Sequence, residues 1–239
     1  MVFPRTPEGT MKGTIDRNPH RLCTLDPNAP CATCENNNLL DCKLNRKQTL
    51  ITTSLIYSFI IVSLLGLYIV CSLTQLWLLL IVFGVFVPLF FLVIEPRITC
   101  SHCPYYAEKR VRFNCPGNML TPKIWKYHPE PINKYEQAGT LVGFILFGAY
   151  PIFSELYGIW VFSIEDLTVT DPRLLELIVI LLVTVVLIGA LYAVFLFVFC
   201  KKCVNFSCQF NRVPKAVADR YIKANPVMRE AWEKSGYKL

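Results

Sequence analysis

Polar and apolar positions fall in long blocks along this chain. Four apolar runs, Thr49–Cys71, Leu76–Ile94, Gly139–Phe162 and Leu175–Cys200, contain no lysine or arginine. Each reaches the roughly 20 residues that a helix needs to cross the hydrocarbon of a bilayer. The first two runs are joined by Ser72–Gln75 and the last two by the acidic stretch Ser163–Leu174, so the pattern predicts two helical hairpins. Pro88 and Pro151 sit inside runs and predict kinks, and Gly139-x3-Gly143 is a cue for close helix packing.

The polar blocks divide the rest. They give an N-terminal segment, residues 1–48, a first hairpin, 49–95, a central loop, 96–138, a second hairpin, 139–200, and a tail, 201–239. Residues 116–138, rich in proline and aromatics, suit a chain lying at headgroup level over the cysteines. The tail beyond Pro214 reads as two short helices, Lys215–Ala224 and Pro226–Lys234. Val217 with Tyr221, and Met228 with Trp232, lie one turn apart, an amphipathic face suited to a membrane surface or a partner.

Composition agrees with the bilayer as solvent: 54% of the 239 residues are hydrophobic and only 17% charged, outside the soluble range. The first run follows a polar segment rather than a short basic start, so no cleaved signal peptide is expected. Basic residues set the orientation. Residues 1–48 hold seven, 95–138 seven and 201–239 nine, whereas the two outer turns hold only Arg173. Lysine and arginine near span ends stay on the cytoplasmic side. A multi-pass protein of the cell membrane with both termini cytoplasmic is therefore expected. The net charge of +7 is spread over three segments facing anionic lipid and gives no nucleic-acid signal.

Orientation changes how the cysteines are read. Ten of the eleven lie in the polar segments, on the face where thiols are kept reduced, so metal binding leads over disulfides. The N-terminal group is Cys23, Cys31, Cys34 and Cys42, four thiols within twenty residues with a central Cys-x2-Cys able to meet one metal from a tight turn. The second is Cys100-Ser-His-Cys103 followed by Cys115, and the third Cys200-Lys-Lys-Cys203 followed by Cys208. Each hairpin thus delivers a Cys-x2-Cys at its cytoplasmic end, then an aromatic-containing stretch, a third cysteine and a proline, Pro116 or Pro214. Such a repeat predicts two hairpins about a pseudo-twofold axis, with both turns sharing one site that clamps them together. Cys71, at the far end of the first run, is an inert buried thiol in this scheme.

All ten polar-segment cysteines are candidate metal ligands, with zinc the expected ion and iron–sulfur clusters the alternative, since both accept four thiolates. The familiar ferredoxin spacings are absent. Three function classes follow. One is a structural, assembly or partner-recruiting component held by metal. Another is an iron–sulfur subunit passing electrons between a soluble partner and a quinone. The last is a membrane thiol–disulfide oxidoreductase, in which Lys201 and Lys202 would favour the thiolate. No histidine lies in an apolar run, which argues against membrane haem, and His102 is a ligand or a supporting group. Glu155 is the only carboxylate well inside a run, either interfacial or functional. No phosphate-cradling glycine loop, Ser/His/Asp set or His-Glu-x-x-His appears. The expected fold is an all-α integral membrane protein, four transmembrane helices as two repeated hairpins with a cysteine-rich cytoplasmic cap.

Overall fold

Asn45 opens the first long helix by accepting the Lys47 amide on its side chain. The computed structural model describes residues 18–43, 45–109, 111–115, 118–164 and 172–239. In it this helix, α1, runs Arg46–Thr74 and ends where Gln75 takes a left-handed φ of 59° to reverse the chain. Helix α2, Leu78–Leu89, returns. Two residues after Pro88 the turns widen into a π-helical stretch, Phe90–Ile94, which leads into the short α3, Glu95–Ile98. Wider turns are one way a span accommodates the N–H that proline lacks.

Helix α4, Lys134–Ile164, begins with a reciprocal cap. The Glu136 amide donates to Asn133 Oδ1 at 2.9 Å and the Asn133 amide to Glu136 Oε2 at 3.1 Å. Helix α5, Pro172–Val194, runs into a second π-helical stretch, Phe195–Phe199. Four helical segments are long and apolar enough to cross a membrane: Arg46–Thr74, Leu78–His102, Lys134–Ile164 and Pro172–Phe199. They overlap the four predicted runs; three start about a turn earlier, and the second starts at Leu78 and runs eight residues past Ile94 to His102. Residues 1–17, Pro116 and most of the acidic turn, 165–171, lie outside the described residues.

The spans assemble around α1, which packs along α5 and α4 and more lightly against α2, its own hairpin partner. Its buried positions Thr49, Thr52, Phe59, Ser63, Gly66 and Val70 recur at steps of three, four or seven, one seam facing the bundle. Small residues allow the close approach that membrane helices rely on. At Gly143 any side-chain carbon would overlap the Phe90 ring, whereas Gly139 has ordinary room, so half of the predicted glycine pair is used. Around Phe147 the rings of Phe59 and Phe91 pack edge-on, each with centroids 4.8 Å away. Outward-facing Ile61, Val85, Ile145 and Val186 are exposed, the apolar surface a bilayer would cover.

The remaining segments meet at the end of the bundle where α1 and α4 start. The fold departs from all-α there. Strands β1, Arg112–Cys115, and β2, Asn118–Pro122, pair antiparallel in the central loop, with Cys115 opposite Asn118. Helices α6, Lys215–Ala224, and α7, Pro226–Lys234, form as predicted, but their apolar face is turned inward. Val217, Tyr221, Met228 and Trp232 close one core with Leu22 and Leu40 of the N-terminal segment, Cys103 and Ala107 of the central loop and Val204 after α5. The tail face read as suited to a membrane or partner is consumed inside the molecule, because two apolar leucines of the N-terminal segment also need covering.

Candidate metal centres

The N-terminal group is held by short turns and by the tail. Cys23–Leu25 and Cys31–Thr33 each form a single 3-10 turn. The Cys23 amide donates to Asn225 Oδ1 at 2.8 Å, and Asn225 Nδ2 reaches back to Cys23 Sγ at 3.4 Å and to the Tyr221 carbonyl at 2.7 Å. Asn225 is fully buried between α6 and α7. Thr24 shares a hydroxyl hydrogen bond with Tyr221, and Asn36, in the second spacer, accepts from Arg220 Nε at 3.0 Å. Burial pushes the Cys42 thiol up to about 12, with the charges of Cys23, Cys34 and Cys31 adding to it, so Cys42 lies within electrostatic reach of the other three. Cys34 is exposed while the other three are half-buried.

The two Cys-x2-Cys turns follow the π-helical span ends. In the first, the Cys103 amide donates to the Cys100 carbonyl at 2.9 Å; in the other, Cys200 continues the wide ladder by donating to the Phe195 carbonyl at 2.8 Å. In the second turn the Asn205 amide reaches Cys203 Sγ at 3.4 Å. Amides aimed at sulfur are groups that a thiolate accepts from. Beyond this point the turns differ, since Cys115 sits in a strand and Cys208 in a turn closed on the Asn205 carbonyl at 3.3 Å.

Backbone and amide bonds tie the segments together. Asn205 Nδ2 donates to the Thr99 carbonyl at 3.0 Å, and Asp41 donates its amide to the Lys202 carbonyl at 2.9 Å while its own carbonyl accepts from Tyr105 Oη. Cys103 is thereby brought within electrostatic reach of Cys203, Cys115 and Cys208; burial is the main reason its thiol is held well above the ordinary range. Burial likewise pushes Cys203 up to about 11 and Cys208 up to about 12. Cys200 lies within electrostatic reach of Cys208, whereas Cys100 takes a carboxylate partner. Cys100 Sγ donates to both oxygens of buried Glu95, at 3.1 and 3.2 Å, though it packs in one small cluster with Tyr106, against which Cys115 also lies. Cys71, buried at the opposite end, donates to the Leu76 carbonyl at 3.2 Å.

Among the described residues no three histidine, cysteine or carboxylate side chains already stand around one point at ligand distances. No family model, curated protein or solved structure matches the chain. His102 turns away from the thiols: Nδ1 meets the Glu130 carbonyl at 2.7 Å and Nε2 lies 3.5 Å from Glu136 Oε2. It is a supporting residue between the first turn and the start of α4.

A redox enzyme by thiol exchange needs a thiol pKa lowered towards neutrality, whereas Cys103 and Cys203 are raised. A groove of about 420 Å³ opens between α2 and α4, lined by Leu79, Leu146, Tyr150, Phe153 and Tyr157. It lies towards the turn end of the bundle, the end that holds Cys71. Asn225, Asn205 and Glu95 escaped sequence reasoning. Asn205 alone carried a signal, standing two residues after a Cys-x2-Cys as Tyr105 does after the other.

Proposed function

We propose that this is a membrane-anchored structural or assembly component whose cytoplasmic cap is held by metal, zinc in preference to iron. The first centre is Cys23, Cys31, Cys34 and Cys42. The second takes Cys103, Cys115, Cys203 and Cys208 as its core, with Cys100 and Cys200 beside it, and so joins the two hairpins. The observation that carries the reading is the convergence of thiols from segments about a hundred residues apart in sequence, with the Asn205 amide already aimed at Cys203 Sγ. Buried thiols that resist ionisation alone become thiolates when a divalent cation stands among them. Four thiolates around zinc give folding energy and no redox chemistry, which suits a scaffold. The lysine and arginine distribution supports the cytoplasmic placement of the cap and both termini.

The cap surface would then be what a cytoplasmic partner protein meets. Anaerobic purification with zinc, iron and sulfide analysis and an absorption spectrum tests the assignment. Colourless protein with about two zinc ions per chain is the expected result. Iron with sulfide and thiolate-to-iron absorption would replace the scaffold by an electron carrier, and protein free of both metals would overturn metal binding.

A further inference from the structure

Phe197 stands in the π-helical stretch that ends the fourth span, and its ring is exposed on the surface a bilayer would cover. Two cations close on that ring: Lys201 Nζ lies 5.9 Å from its centroid and Arg212 Cζ 5.3 Å. Lys201 comes from the turn directly after the stretch, whereas Arg212 arrives on a fixed loop. The Arg212 amide donates to the Cys200 carbonyl at 2.8 Å, and Asn211 Nδ2 before it donates to the Cys203 and Asn205 carbonyls at 2.8 and 2.9 Å. Phe210 packs edge-on against Phe144 of α4, with centroids 5.7 Å apart. Lys201 and Arg212 are nevertheless exposed. At the other cation-covered rings among the described residues a carboxylate balances the charge: Glu136 for Arg97 over Trp125, Glu108 for Lys123 over Tyr106 and Asp219 for Lys215 over Tyr237. Among the described residues Lys201 and Arg212 form no ion pair. Arg212 also lies within electrostatic reach of the Cys200 thiol.

We propose that Lys201 and Arg212 hold the phosphate of an anionic phospholipid beside Phe197, in the leaflet on the cysteine side of the bilayer. Two like charges drawn to one ring repel each other, and a shared anion turns that repulsion into attraction. A guanidinium fork takes two phosphate oxygens at once, and an ammonium adds a point charge. The place suits a headgroup. Phe197 and Val198 are exposed and apolar and the cations follow within a turn, so charge begins where the apolar surface stops. Exposed Ala193, Gly189 and Val186 continue the face below Phe197 at helical steps, and the open space at Gly189 leaves room for an acyl chain. Inorganic phosphate would meet the charges but gain nothing from that apolar track. The site rests on α5 crossing the bilayer and is independent of the metal centres.

Native mass spectrometry of the full-length protein released from detergent micelles tests it, with phosphatidylglycerol and phosphatidylcholine of matched chains as probes. Phosphatidylglycerol should bind the wild type more tightly, and the double variant Lys201→Gln, Arg212→Gln should weaken that binding by about tenfold. Removing two exposed charges at the start of α1, by Arg46→Gln with Lys47→Gln, should leave it within about twofold. Should the first double variant not fold, Lys201→Gln alone serves, with a loss of about threefold expected. Equal losses in the two double variants, unchanged binding in Lys201→Gln, equal affinity for phosphatidylcholine, or displacement of the lipid by millimolar inorganic phosphate would each overturn the proposal.

Discussion

The two cysteine groups are built in opposite ways. The N-terminal group is local, four thiols within twenty residues on turns that leave Cys34 exposed. The second gathers Cys103, Cys115, Cys203 and Cys208 from segments separated by a whole hairpin, and buries Cys103 in the shared core. A local group can be lost with damage to its own loop. A group that joins distant segments holds their arrangement, so its loss reaches the whole polar end.

That contrast sets the size of each expected effect. Cys103→Ser should lose one metal equivalent and release the tail, since the binding energy of a structural zinc, on the order of 10 kcal/mol, is folding energy. Cys34→Ser should lose one equivalent while the second centre stays loaded. Metal analysis of both variants after gel filtration checks the pair, and equal disruption by either would erase the distinction. Trp232→Ala removes the largest side chain from the common core and should cost about 3–5 kcal/mol, read by chemical denaturation with tryptophan-independent circular dichroism. The transition should soften at the polar end while the helicity of the spans persists.

Asn225→Ala strips the buried amide from Cys23 and from the Tyr221 carbonyl, and about 1–3 kcal/mol is expected, falling on the N-terminal group. Its zinc should exchange faster with a colorimetric chelator while the second centre is unaltered. The smallest effect belongs to Cys71→Ser, which should leave metal content unchanged, because Cys71 sits at the opposite end of the bundle.

The spans were legible because bilayer solvation writes itself into a run: no lysine or arginine, about twenty residues, basic flanks on one side. The helices α6 and α7 were legible from one-turn spacing of Val217 with Tyr221 and of Met228 with Trp232, but not their destination, since an amphipathic face does not say what covers it. The covering residues, Leu22 and Leu40, lie nearly two hundred positions away. The β1/β2 hairpin lacked any alternating pattern to announce it. Glu155 was visible as an intramembrane carboxylate, yet its burial against Gly66 and Thr184 depends on which face of α4 meets α1 and α5, which hydropathy does not give. The depth of Cys100 in its turn was hidden for a similar reason, because its partner Glu95 read only as the end of a run.

Amide hydrogen exchange of the full-length protein, with and without a zinc chelator, tests the metal-held cap most directly. The account predicts that chelation speeds exchange in residues 18–43 and in α6 and α7 by orders of magnitude, while α1, α4 and α5 stay protected. Identical exchange in both conditions would mean that apolar packing alone holds the polar end together, and the metal reading would fall.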